Sequence, residues 1–170
     1  MKIYRPSSEE VRIFDFDRIL GGNTPQDEAY YRVGYKIVQD VMAGYNGTIM
    51  AYGQTGSGKT YTIFGNKNSM DYNVETTEEM GIVPRAIKQV FQTINENSDK
   101  IQYQIRVSFM QVYMEQVTDL IQDENDDSKD TSQIAFVGNG KRTIPKEGLQ
   151  IREDPKSGIF VKGLKQIVIY

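Results

Sequence analysis

The strongest chemical signal in this 170-residue chain is an eight-residue run, Gly53-Gln54-Thr55-Gly56-Ser57-Gly58-Lys59-Thr60. It fits the spacing G-x-x-x-x-G-K-[ST], with a third glycine inside it. Glycines at such positions let the backbone curl around an anion without Cβ clashes and turn its amides inward. A helix opening at Lys59 would add the positive end of its dipole. In that arrangement Lys59 reaches the β- and γ-phosphates of a triphosphate as a point charge, which makes it the catalytic candidate, and the Thr60 hydroxyl ligates Mg²⁺. The competing reading is a glycine-rich turn that ends in Lys-Thr by coincidence. At ordinary glycine frequency the four fixed positions match a chain of this length on the order of once in a hundred or fewer. The flanks favour the nucleotide: "TIMAY", Thr48 to Tyr52, suits a buried parallel strand, and a helix-compatible stretch follows the loop.

Composition narrows the chemistry further. The chain has no histidine and no cysteine, which removes Ser-His and Cys-His nucleophile pairs, thiolate zinc sites and disulfides. What is left is carboxylates, Lys, hydroxyls, backbone amides and a metal ion brought in with a substrate. A net charge of −3 gives no basic footprint for non-specific nucleic-acid binding, so no nucleic-acid partner is expected. Apolar runs such as Ile167 to Tyr170 fall far short of the roughly 20 residues that cross a bilayer. The opening "MKIYRPSSEE" lacks the apolar core of a signal peptide. The expectation is one globular domain in the cytoplasm, without membrane insertion.

The elements that must carry the loop are legible in outline. Val11 to Leu20 reads as a short strand running into a turn at Gly21-Gly22. A helix follows, with Thr24 as cap and Pro25 at its first position. Tyr30, Val33, Ile37, Val38, Val41, Met42 and Tyr45 form one apolar face, and Gly44 with "YNG" ends it. After the loop, residues 66–80 are polar and without period. Ile82, Val83, Ala86, Ile87, Val90, Phe91 and Ile94 then recur at helical spacing, with Pro84 tolerated in the first turn. Tyr103, Ile105, Val107 and Phe109 alternate as a long strand does, and Val112 with Tyr113 shifts its register. "QDENDDSKD" opens an acidic insertion over about 122–147. The last segment predicts two or three short strands around a turn at Asp154 to Gly158.

The surroundings of the loop say more than the loop does. "YNGTIMAYGQTGSGKTYTIFG", Tyr45 to Gly65, closely resembles the phosphate-loop region of the kinesin motor domain. Four further stretches resemble that family in the same order: "FDFDRIL", "GIVPRAIKQVF", "VSFMQVYMEQVTDLI" and "LQIREDPKSGIFVKGL". Departures are small, with Ile63 where the family usually has Met and Gln111 where it often has Glu. The resemblance implies an α/β, P-loop NTPase-type fold, a central mostly parallel sheet flanked by helices. It implies ATP and Mg²⁺ as cofactors, microtubules as partner, and ATP hydrolysis coupled to movement along them in the cytoskeleton. It places Tyr61 beside the adenine ring, where the bland alternative is an exposed helix residue. It makes 66–80 a loop-five-like segment and 152–158 a loop-eight-like one, with Arg152 and Lys156 facing acidic β-tubulin. Two basic residues flanking a turn are also what a solvated edge carries.

Two motifs of that family are not found in these residues. Switch I, N-x-x-S-S-R-S-H, and switch II, D-x-x-G-x-E, supply the positioned water and the γ-phosphate sensor that turnover requires. The only adjacent serines are Ser7-Ser8, and no Asp has Gly three residues later. "YRP" at Tyr4 to Pro6 lacks the first Arg of the family's R-x-R-P strand. The expectation is therefore the first half of a motor head, incomplete before switch I, whose residues grip ATP without hydrolysing it alone. The alternative is a truncated kinesin-like fragment that binds nucleotide or tubulin without turnover. The lack of D-x-x-G and the sequence around "YNGTIMAYGQT" count against a third reading, an unrelated GTPase or kinase.

Overall fold

The computed structural model describes residues 2–4, 11–66, 78–121, 131–137, 140–145, 148–156 and 158–169. The chain divides into two compact units, Met1–Ile101 and Gln102–Tyr170.

In the first unit, β1 (Lys2–Tyr4) pairs antiparallel with β2 (Val11–Ile13), Ile3 opposite Arg12. The strand at Lys2–Tyr4 is not apparent from the sequence. Beyond β2 the chain makes the expected glycine turn, Thr24 N–H donating to Gly21 O at 3.0 Å. The helix that follows starts one residue later than the sequence suggests. Pro25, with φ −68° and ψ 159°, is the cap of α1 (Gln26–Val33), and no side chain caps it.

The single amphipathic helix expected here is two, α1 and α2 (Tyr35–Met42), joined at Gly34. Backbone bonds run through the joint, Gly34 N–H to Tyr30 O at 2.7 Å and Val38 N–H to Gly34 O at 3.0 Å, and Gly34 itself, with φ −100° and ψ −38°, departs from ideal helix values. The reason lies in packing. A Cβ at Gly34 would sit 2.7 Å from Tyr30 Cε2 and 3.5 Å from Ile82 Cγ2. Glycine lets the Tyr30 ring lie over the joint while α4 (Ile82–Asn97) closes in from the other side. The apolar face is narrower than the sequence implies: Tyr30 and Val38 are buried, whereas Val33, Val41 and Tyr45 are exposed.

At Gly44, φ +99°, the chain reverses, and it returns past α2 so closely that a Cβ on Gly47 would lie 2.6 Å from Ile37 Cγ2. Thr48 to Tyr52 then enters the glycine loop. Among the described residues this run joins no ladder, and Met50 and Tyr52 are exposed. A parallel strand is held by neighbours on its flanks, and no described strand lies beside it. The described ladders are all antiparallel pairs. After the loop comes α3 (Lys59–Phe64), closed by Gly65. Most of the loop-five-like segment, 67–77, lies outside the described residues. Its ends meet in an isolated bridge between Gly65 and Met80 and in Asn66 Nδ2 donating to Glu79 Oε2 at 2.8 Å. Pro84 sits in the first turn of α4, as expected.

In the second unit the long strand divides. β3 (Ile105–Val107) pairs with β10 (Ile167–Ile169), while β4 (Met110–Tyr113) forms a hairpin with β5 (Gln116–Asp119). Its turn, Met114-Glu115, has φ of 47° and 63°. That is the two-residue hairpin geometry usually reserved for Asn-Gly, so the sequence gives no warning of it. Val117 is buried against Leu149, whose N–H donates to Val117 O at 2.7 Å. The Asp119 carboxylate accepts from Ile121 N–H at 2.8 Å and Lys165 N–H at 2.7 Å, tying the end of β5 to the approach of β10. β6 (Thr131–Val137) and β7 (Gly140–Pro145) pair within the stretch read as an acidic insertion, whose residues 122–130 lie outside the described ones. β8 (Gln150–Asp154) and β9 (Gly158–Lys162) form the expected terminal hairpin.

Candidate nucleotide site

The glycine loop runs directly into α3, the helix that its spacing requires on that side. Gly56 and Gly58 have φ of +81° and +90°, left-handed values that an L side chain rarely adopts. Gly53 is needed for space instead: a Cβ there would collide with the Ser57 hydroxyl and lie 3.1 Å from Ser57 Cβ. Between them Ser57 N–H donates to Gln54 O at 3.2 Å, which sets the turn, while Gln54, Thr55 and Ser57 are exposed along it.

Lys59 opens α3 and folds back over the loop. Its ammonium donates to Gly53 O and Gln54 O, each at 2.8 Å, and it forms no ion pair among the described residues. Those two carbonyls hold a positive charge at the loop, with no anionic partner among the described residues. Thr60, next on the helix, is exposed. Among the described residues the N–H groups of Gly58, Lys59 and Thr60 donate to no backbone carbonyl, as is normal for a first helical turn. A cation, a hydroxyl and unspent amides thus face one curved loop, a donor set that fits the phosphates of a nucleotide and their Mg²⁺. Tyr61 is half exposed, at 53%, so its ring is accessible on the same helix.

Sequence reasoning missed what supports α3 from behind. Gln26, only 5% exposed, donates from Nε2 to Tyr61 O at 2.7 Å. Nearby, Tyr30 Oη donates to Gln89 Oε1, and Gln89 Nε2 to Tyr35 O at 3.3 Å, which binds α4 to the α1–α2 joint. Burial raises the Tyr30 phenol above its ordinary value, the Tyr35 phenol adds to the rise, and Arg85 opposes it. Among the described residues no three His, Cys, Asp or Glu side chains cluster to hold a metal, and no helix is long and apolar enough to cross a membrane.

Arg152 and Lys156 belong to the second unit, on β8 and in the turn after it. The Arg152 guanidinium donates to Gln150 Oε1 at 2.7 Å and 3.2 Å, and Lys156 N–H caps the Asp154 carboxylate at 2.8 Å. Both residues are exposed.

The sequence matches the kinesin motor domain family over residues 2–170. The chain belongs to the kinesin family. It is 37% identical over 160 residues to "Kinesin-like protein KIN-5C" of Nicotiana tabacum, covering 93% of this chain and 15% of that protein. To a "Kinesin heavy chain" of Syncephalastrum racemosum it is 37% identical over 156 residues, covering 92% of this chain and 14% of the relative. Among solved structures it is similar to one described as "Structure of a fast kinesin: Implications for ATPase mechanism and interactions with microtubules", with a TM-score of 0.73 and 29% identity. That match covers 99% of this chain and 39% of the other. The chain therefore spans a minor part of each of these kinesins, and its fold is that of a P-loop NTPase of the kinesin type.

Proposed function

We propose that Gly53 to Thr60 binds Mg-ATP, and that the chain is the ATP-binding part of a microtubule-based kinesin motor. The observation that carries this is the Lys59 ammonium held at the mouth of a loop whose Gly56 and Gly58 are left-handed. An entering triphosphate offers that ammonium anionic oxygens in place of two neutral carbonyls, which adds attraction between full opposite charges to the hydrogen bonds. Thr60 would hold Mg²⁺, which draws negative charge from the phosphate oxygens when bound. Tyr61, exposed two residues beyond Lys59, would carry the adenine. A protein bound to microtubules in this way would reside on the cytoplasmic cytoskeleton.

Binding without turnover by these 170 residues is favoured by one specific feature, the lack of N-x-x-S-S-R-S-H and D-x-x-G-x-E within them. The test is paired. Mg-ATP should raise the melting temperature, the stabilisation growing with the logarithm of one plus ligand over its dissociation constant, and Lys59→Ala should abolish the rise. Phosphate release by the same chain should stay at background with and without microtubules. No melting shift at millimolar Mg-ATP would overturn the nucleotide assignment, and turnover above background would overturn the non-hydrolysing one.

A further inference from the structure

We infer that Gln26 is a positioning residue for the nucleotide site: its side-chain amide fixes the orientation of α3 and so presents Lys59 and Thr60 to the triphosphate. The inference rests on the nucleotide reading above and adds to it a residue outside the loop.

The argument begins with length. α3 has six residues, no side-chain cap at Gly58 and a glycine at its other end. Helices so short are not stable by themselves, because the few backbone bonds of six residues do not repay nucleation. Something outside must hold it. Two contacts are made by backbone, the Gly65–Met80 bridge and the approach of Gly81 to Ile63. Among the described residues, the polar side chain that reaches α3 from another helix is Gln26. Being first in α1, it lies where side chains lean back toward the helix start, which carries its amide off the end of α1 and onto its neighbour.

The target atom matters. Tyr61 O already accepts the N–H of Gly65 at 2.8 Å, and Gln26 uses its second lone pair at 2.7 Å. The carbonyl lies in the middle of α3, so anchoring it limits roll and tilt of the whole segment. Thr60 and Lys59 are one and two residues away along the same turn. A carbonyl can only accept, so the contact demands a donor, and a carboxylate of the same shape in place of the amide would repel it. Among the described residues the Gln26 side chain hydrogen-bonds to α3 and to no residue of the loop, so it acts by holding α3.

The experiment compares Mg-ATP dissociation constants for the wild-type chain, Gln26→Met and Gln26→Glu between pH 8 and pH 5.5, each read relative to wild type at the same pH. Loss of one hydrogen bond to a part-buried carbonyl predicts about tenfold weaker binding for Gln26→Met at every pH. Gln26→Glu should be weaker still at pH 8. It should recover toward wild type as pH falls, because the buried carboxyl then protonates and its O–H donates to Tyr61 O. A merely structural role would lower the melting temperature of the free chain without this pH-dependent recovery of affinity, and that result overturns the inference. Wild-type affinity in both variants overturns it while leaving nucleotide binding intact. Failure of the folded wild-type chain to bind Mg-ATP overturns the nucleotide reading itself and the inference with it. If Gln26→Glu does not fold, Gln26→Met alone decides, and an unchanged constant there is fatal.

Discussion

Gly81 lies so close to Ile63 that a Cβ on it would stand 2.6 Å from the Ile63 carbonyl carbon and from its oxygen. The entry to α4 therefore packs directly on the backbone of the last turn of α3. Gly81 has φ −80° and ψ −166°, values open to most residues, so contact and not conformation requires glycine here. Gly81→Ala should force α3 and α4 apart, destabilising the chain by about 1–3 kcal/mol, the usual range for overpacking. Because α3 carries Lys59 and Thr60, Mg-ATP affinity should fall as well. Urea midpoints and the Mg-ATP melting shift check both, and an alanine variant unchanged in each would show that the gap can open without consequence.

The residues that would do chemistry were legible because their signal is local. G-x-x-x-x-G-K-[ST] states its own backbone requirement, and the left-handed Gly56 and Gly58 meet it. The helix at Ile82–Asn97 was equally clear from its period. What could not be read depends on distant atoms. Nothing in the order of residues 26–42 says that Tyr30 and Ile82 will crowd Gly34, where one expected helix becomes two. Gln26 looks like any polar residue in a first turn until Tyr61 O is placed beside it. The run at Thr48–Tyr52 has the composition of a strand, yet a strand is defined by its partners, and none of the described residues supplies one.

Tyr30 gives the first unit a pH response. Burial is the main reason its phenol titrates above the ordinary value of 10.0, with Tyr35 reinforcing and Arg85 opposing. A folded-state value above the unfolded one means that the native chain holds the proton longer, so stability is fully present below pH 10 and declines as pH rises through the folded value. Unfolding monitored between pH 9 and pH 11.5 should show this decline. Tyr30→Phe should flatten this part of the profile while costing about 0.5–1.5 kcal/mol at neutral pH, because Gln89 Oε1 loses its donor. The same slope in Tyr30→Phe would assign it to another group.

The hairpin turn at Met114-Glu115 is strained by its residue types. Both have positive φ, 47° and 63°, where a side chain costs roughly 1–2 kcal/mol per residue and Asn or Gly costs less. Met114→Asn with Glu115→Gly should therefore raise the stability of the second unit by about 1–2 kcal/mol without altering the β4–β5 register. The gain should appear as a higher urea midpoint at unchanged slope. A loss of stability would mean that the exposed Met114 side chain contributes contacts worth more than the relieved strain.

Arg152 and Lys156 separate a solvated edge from a docking surface. Both residues are exposed and form no ion pair among the described residues; Gln150 orients the Arg152 guanidinium, and Asp154 holds the Lys156 backbone in the turn. An exposed edge of this kind contributes little to folding, so Arg152→Glu with Lys156→Glu should leave the melting temperature nearly unchanged. Against the acidic surface of a microtubule the same reversal turns attraction into repulsion, and co-sedimentation at low salt should weaken several-fold. The wild-type interaction should itself fade as ionic strength rises and the Debye length shrinks from about 10 Å at 0.1 M salt. Equal co-sedimentation of the wild-type and reversed chains at low salt would return both residues to the solvated edge and remove this hairpin from the proposed microtubule contact.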